Sequence, residues 1–522
     1  MSKPLESVTI SAPGFYGLNT QESGVSLDVG YALTATNCVI DKFGRVGSRR
    51  GWAYRTQSKD TVADDNVGVG LTGLHNFIDL SGNATYLSYN DTTFFKGYTD
   101  LTTITPTTTD SISVGDWSVA TLNDRAYFFQ AGYKPLLYTN ETTPDEFKSI
   151  DTHADYTGTV PQGDFVLSAY GRLWVADVSA NTTTVHFSDL LDGVKWGSGS
   201  AGSINLAGTF SKDSDTVTGI AAHNGYLIVF CKNSTIVFAD NDSFQGSFDV
   251  TSLQLVEVIE GIGCISPRTI QNTGDDVFFL SSSGLRSLSR TIQEKSQPLR
   301  DISKNVRDDV VSLIESEADL GKVMAVYVPR FAFYLLTFPS IGFSYCFDTR
   351  VPLQDGSLRA TFWNNQTYTA MMYDTTVRKL LFAEEDGIAE YFGFQDNGAK
   401  YPFNYATSYL DFDKANITKI VKKIGVSVIG ASGQDFVIKL GYDYSTVTTP
   451  YTFILSNRGT LYYYNEDEYT VAEYNGGLQL ENVKSPVGGN GVIVQLGFET
   501  SINGAPMSIQ RIDMFGKTGR LI

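Results

Sequence analysis

Few residues of this 522-residue chain have the types and spacing that do chemistry. Gly68-Val69-Gly70-Leu71-Thr72-Gly73 has the Gly-x-Gly-x-x-Gly spacing that cradles a pyrophosphate at a helix N-terminus. The next residues, Leu74-His75-Asn76-Phe77-Ile78, read as a strand with no strand–helix–strand unit behind it, so these are expected to be turn glycines. Asp240-Asn241-Asp242 with Gly246 has the oxygen-rich look of a calcium loop, but lacks the closing Glu of a twelve-residue site; an Asx turn is the plainer reading. His75, His153, His186 and His223 show no His-x-His or His-x-x-x-His spacing, and satisfied strand histidines outweigh metal ligands. Cys38, Cys231, Cys264 and Cys346 are scattered without a Cys-x-x-Cys pair, as buried thiols of a chain folded in a reducing compartment would be. No Gly-x-Ser-x-Gly elbow is present. Neither a cofactor nor a catalytic residue is expected.

The elements that would position any such residues are strands. Runs of five to seven Tyr, Phe, Val, Ile and Thr residues alternate with Gly/Asn/Asp/Ser turns, and aromatics make up 13% of the chain, far from a disordered composition. One amphipathic helix is predicted over 303–316, with Ser303 as N-cap and Val306, Val310, Leu313 and Ile314 on one face. Seven stretches share the outline strand, tight turn, strand, turn, strand. Their central turns, marked by Gly82, Asn123, Gly171, Asn224, Gly274, Pro329 and Thr376, are spaced by 41, 48, 53, 50, 55 and 47 residues. A period of that size carrying three or four strands is the signature of a β-propeller, and the alternative is a pair of β-sandwiches with coincidental spacing. Middle strands such as Arg172-Leu173-Trp174-Val175-Ala176 are nearly continuous apolar runs, as strands covered on both faces must be. The expected fold is all-β: an extended N-terminal arm and docking strand (1–60), a propeller of six to seven blades (61–398), and a β-sandwich-like domain (399–522) whose strands alternate better.

Within a propeller, Ser188-Asp189-Leu190-Leu191-Asp192-Gly193-Val194-Lys195-Trp196 approximates the Asp-box of sialidase-type enzymes, which work with paired acids. It has one residue too many between Ser188 and Asp192 and occurs once, while the acids Glu384 and Glu385 fall in a turn. A carbohydrate-binding or glycan-cleaving, receptor-binding propeller is therefore kept as an alternative reading. Basic residues cluster at Lys42, Arg45, Arg49, Arg50, Arg55 and Lys59, suited to DNA contact, to an acidic neighbouring subunit, or to the chain's own acidic body. The net charge of −18 argues against tight nucleic-acid binding but suits a surface that DNA passes without sticking. No stretch of about 18 apolar residues is present, so no membrane-spanning helix is expected.

The flanks carry more. VTISAPGFYGLNTQES (8–23) followed by GYALTATNCVIDKFGRVGSRRGW (30–52) resembles the opening of tail nozzle proteins (tail tubular protein B) and the related packaged-DNA-stabilising hub proteins of short-tailed bacteriophages. The matching positions are Gly17, Leu18, Asn19, Gln21, Asn37, Gly44, Val46, Arg49, Arg50 and Gly51. SYLDFDKANITKIVKKIGV (408–426) and SIQRIDMFGKTGR (508–520) fit the same family. The resemblance implies a structural virion protein without enzymatic activity, assembled in the host cytoplasm into a ring of six subunits below the portal and tail adaptor protein. The ring would carry tail fibres or other distal tail proteins. It would retain packaged double-stranded DNA and pass it to the host, without sequence-specific binding. The arm over residues 1–50 would dock onto a neighbour and order on assembly.

Overall fold

The computed structural model describes residues 5–56, 70–108, 110–141, 145–179, 181–210, 215–240, 250, 252–289, 302–384, 386–414, 416–430, 433–444, 451–455 and 480–521. The chain is an all-β propeller joined to a β-sandwich. Among the described residues, six radial sheets have four strands each. The first four run in chain order from Gly73–Ile78 to Leu253–Glu260, each an antiparallel meander. A three-stranded sheet (Gln271–Asn272, Val277–Ser281, Gly284–Ser287) takes the fifth place. The sixth place is Met324–Val328 to Arg359–Asn364, and the seventh begins at Ala370–Asp374. Innermost segments neighbour one another all the way round, the seventh lying against the first, so the ring is closed. All seven turn markers of the repeat fall between a first and a second strand.

Middle strands such as Arg172–Ala176, Val277–Ser281 and Phe333–Phe338 are buried at every position, packed on both faces against neighbouring sheets. Alternation returns in the C-terminal strands, as in Tyr401–Thr407 and Val494–Ile502, where one face meets the core and the other is wetter.

Over residues 5–56 the N-terminal segment does not form an extended arm but is built into the chain's own sheets. Glu6–Ser11 pairs antiparallel with the last strand, Met507–Leu521. Tyr31–Thr36 lies between the sixth blade's outer strand and Tyr401–Thr407, making one continuous ten-stranded sheet of blade and sandwich. Cys38–Ile40 and Val46–Ser48 extend the opposing seven-stranded sheet. Trp52–Tyr54 pairs with Gly387–Tyr391 and supplies the fourth strand of the seventh blade. The physical reason is backbone hydrogen bonding, because a three-stranded last blade would leave an open edge there. The boundary at 399 is likewise crossed by a single hydrophobic core. That core runs from Leu280 and Tyr334 through Val306 and Val310 to Tyr405, Phe498 and Met514.

The helix forms over Arg307–Ser316, preceded by a 3-10 turn at Lys304–Val306. Val310 and Ile314 are buried against the fifth sheet. Ser303 does not cap it. Its hydroxyl accepts instead from Leu285 N at 3.0 Å, because a buried strand N–H left without a partner costs more than an uncapped helix end that water can reach.

Candidate functional site

The residues singled out near the N-terminus converge on one buried joint. Asn37 sits in left-handed backbone (φ 55°) between two short strands. Its amide donates to Asn364 Oδ1 and Pro402 O, both at 2.7 Å, linking the sixth blade to the sandwich. Its Oδ1 accepts from Arg49 Nε at 3.0 Å. The Arg49 side chain is 1% exposed and grips Asp396 with both arms, at 2.8 and 2.7 Å, while also donating to Arg50 O. Its guanidinium lies 4.1 Å from the centroid of Tyr401, whose hydroxyl donates back to Arg49 O. Asp396 holds the Arg49 guanidinium well above its ordinary pKa, overcoming the burial that pulls it down. Planar, bidentate pairing with ring stacking is what arginine does and lysine cannot.

Gly51 is next to this pair for a steric reason. A Cβ there would lie 1.8 Å from Gln395 O, because Trp52 N donates to that carbonyl and Gly51 N to Gly393 O. Gly17 is the second such position: it has φ +79° and a Cβ would meet Ala360 O at 2.5 Å. Leu18, between them in the chain, is buried and pairs with Ala32. Gly44 and Arg45 close a turn on Asp41, whose carboxylate accepts from Arg45 Nε. Val46 is fully buried. Asn19 Oδ1 accepts from Gln21 N and Glu22 N, a tight turn that seats Thr20 Oγ1 on Asp309 and the Gln21 amide on Asp308 at the start of the helix. These positions therefore fasten the N-terminal segment to helix, blades and sandwich.

The basic cluster divides in the same way. Arg45 pairs with Asp41, Arg49 with Asp396, and Arg55 with the buried Glu390 at 2.7 Å, where Lys379 and Tyr98 also donate. Arg50 lies over the rings of Phe331 and Phe394, and Lys42 over Phe43. Lys59 lies outside the described residues.

A cavity of about 560 Å³ lies on the propeller's axis, lined by a segment of every radial sheet, from Thr72 to Met371. Asp116 and Asp164 stand on its second and third blades. Burial, aided by Asp177 and Asp116, pushes the Asp164 carboxyl up to about 6. Arg268 crosses from the fifth sheet and donates to Thr72 O and Thr369 O, at 3.1 and 2.9 Å, so its charge braces the carbonyls of the first and seventh blades.

The other motifs resolve into structure. Asp189 Oδ1 accepts from Ser200 N and Oγ and from Leu190 N, while Asp192 accepts from Val194 N and pairs with Lys195, so the Asp-box-like stretch is a self-bonded turn. Asp192 and Glu384 lie on the third and seventh blades, and Glu385 is outside the described residues. Gly73 begins the first blade, while Gly68 and Val69 lie outside the described residues, as do Asn241, Asp242 and Gly246. His75 meets Thr121 Oγ1 at 2.7 Å and is driven down to about pKa 4 by burial. His153 sits beside Asp155, His186 on a buried strand, and His223 against Asn224. Among the described residues no group of three or more His, Cys, Asp or Glu is placed to hold a metal ion, and no helix is long and apolar enough to cross a membrane.

No protein-family model matches the sequence, and no curated protein matches it either. Among solved structures, the chain is similar to the Neurospora crassa Pan2 WD40 domain, with 8% identity over 66% of this chain and 96% of that one, TM-score 0.38. It is also similar to the AfRom2 CNH domain (12% identity, 62% and 94% coverage, TM-score 0.35) and to Kluyvelomyces marxianus Hsv2 (11%, 54% and 73%, TM-score 0.30). At such low similarity the propeller rests on this chain's own strand pairing and ring closure.

Proposed function

We propose that this chain is a structural subunit of the tail nozzle or hub ring of a short-tailed bacteriophage, six copies of which form the conduit that retains packaged DNA and passes it to the host. The observation that carries this reading is the joint around Arg49. The N-terminal positions on which the resemblance rests, Gly17, Asn19, Asn37, Arg49 and Gly51 among them, are those the fold uses to lock the N-terminal segment to blades and sandwich. A likeness at such positions is a likeness of architecture. A propeller and sandwich sharing one core suit a part that must keep its shape against the pressure of packed DNA. The acidic balance of −18 suits a wall that phosphates pass without the counterion release that would hold them.

The test is made on virions. Mass spectrometry of purified particles should find the chain at six copies per portal, and particles made without it should fill with DNA and then leak it. Particles that lack the chain yet keep and deliver their DNA would overturn the proposal.

A further inference from the structure

Three charged side chains stand in the axial cavity without a partner of opposite sign. The cavity lies at the end of the axis where the innermost strands begin, from Gly73–Ile78 round to Ala370–Asp374. Asp116 and Asp164 come just before the innermost strands of the second and third blades. Arg268 lies on a 3-10 turn, Pro267–Thr269, ahead of the innermost strand of the fifth place. Its Nη2 donates to Thr72 O and Thr369 O, which leaves Nε and Nη1 without a partner among the described residues. Among the same residues no carboxylate comes within ion-pair distance of Arg268. No Lys, Arg or His comes that close to Asp116 or Asp164.

Both signs of charge face the same space. Tyr89 lines the cavity, and burial holds its hydroxyl above the ordinary tyrosine pKa, with Arg268 opposing and Asp116 assisting. Asp164 accepts a hydrogen bond from the Ala131 backbone. Its carboxyl nevertheless stays raised, because no cation offsets its burial or the nearby Asp177 and Asp116. Much of the remaining wall is apolar: Val119, Leu167, Ile220 and Met324 come from four different blades. An apolar pocket of this size with a few convergent polar groups is how small-molecule sites are built. An anion alone would answer Arg268 but meet two carboxylates, and a cation alone would leave the guanidinium bare. A ligand with an ammonium at one end, a carboxylate at the other and an apolar body between answers all three charges and the wall.

We propose that the axial cavity is a binding site for a small apolar zwitterion of the amino-acid or dipeptide class, its ammonium held by Asp164 and Asp116 and its carboxylate by the unused nitrogens of Arg268. Asp116 is exposed, so the ammonium end lies where the cavity meets solvent. The site lies within one subunit and does not depend on assembly of a ring.

The experiment titrates the full chain at neutral pH by calorimetry with leucine and leucyl-leucine, and with hexylamine and hexanoate, which carry one charge each. The same titrations are run on Asp164→Asn and Arg268→Gln, and circular dichroism shows whether each is folded. At least one zwitterion should bind at one site per chain, at least about tenfold more tightly than either single-charge probe. Each substitution should weaken that binding at least about tenfold, as loss of a charge-assisted hydrogen bond does. Hexanoate, which has nothing for a carboxylate to hold, should bind Asp164→Asn no more weakly than wild type. Arg268→Gln also gives up the brace to two carbonyls. If it unfolds, Asp164→Asn decides alone, since it relieves the fold of a buried charge. Absence of zwitterion binding up to about 10 mM overturns the proposal. So does a single-charge probe that binds as tightly, or undiminished zwitterion binding by Asp164→Asn. None of these outcomes bears on whether six copies form a conduit.

Discussion

Replacing Arg49 with alanine is the sharpest test of the joint. The guanidinium makes four side-chain hydrogen bonds, to Asn37 Oδ1, Arg50 O and both oxygens of Asp396, and stacks on Tyr401. Removing one partner of a buried pair typically costs about 3–5 kcal/mol, because the remaining charge is stranded. Asp396 is 17% exposed, so water reaches it and the loss should sit near about 3 kcal/mol, the low end of that range. Arg49→Lys keeps the charge but loses the fork and the stacking, and should cost about 1–3 kcal/mol. Guanidinium unfolding followed by tryptophan fluorescence measures both losses. Hydrogen exchange at Trp52–Tyr54 shows whether the strand completing the seventh blade loosens first. In a double-mutant cycle with Asp396→Asn, the coupling should exceed about 1 kcal/mol. An Arg49→Ala chain whose midpoint and slope match wild type would refute the reasoning, since an exposed pair behaves that way.

Gly51→Ala should cost at least about 1–3 kcal/mol, since its Cβ would overlap Gln395 O, and should raise exchange at Trp52 and Phe392; wild-type exchange there would count against it. Asp164 has a folded pKa of about 6, above its unfolded value, so the folded state binds the extra proton and stability falls as pH rises from about 4 to 6. Asp164→Asn should therefore gain about 1–3 kcal/mol at pH 7.5 and little at pH 4, and equal effects at both would contradict the burial argument. All four thiols are buried, Cys231 and Cys264 being pushed up to about 12, so a thiol reagent at pH 8 should label the native chain at least about a thousandfold more slowly than the unfolded one. Rapid labelling of any one thiol would show that its surroundings open.

The repeat is legible because covered strands lose alternation: Arg172–Ala176 and Phe333–Phe338 are nearly continuous apolar runs for the reason that they are buried on both faces. Five of the turns are legible from Gly82, Asn123, Gly171, Asn224 and Gly274, which stand where the chain reverses with positive φ. The N-terminal segment reads as an extended arm because its strands are short and their partners lie hundreds of residues away, as with Glu6 opposite Gly516. A signal does exist: the seventh repeat ends at Tyr391 after three strands, so a fourth has to come from elsewhere, and Trp52–Tyr54 is it. Ser303 reads as a cap because periodicity does not show that Leu285 N needs its oxygen. At the joint, the residue types at Asn37, Arg49 and Gly51 can be picked out, but not their partners. Asp396 lies 347 residues from Arg49, and nothing local in the sequence announces the pair.

The measurement that tests the account most directly is electron microscopy of the full chain, alone and mixed with the portal–adaptor complex, together with native mass. Sixfold rings with an axial hole, either free or templated on the complex, are the expected result. A chain that stays monomeric and ignores the complex would contradict it.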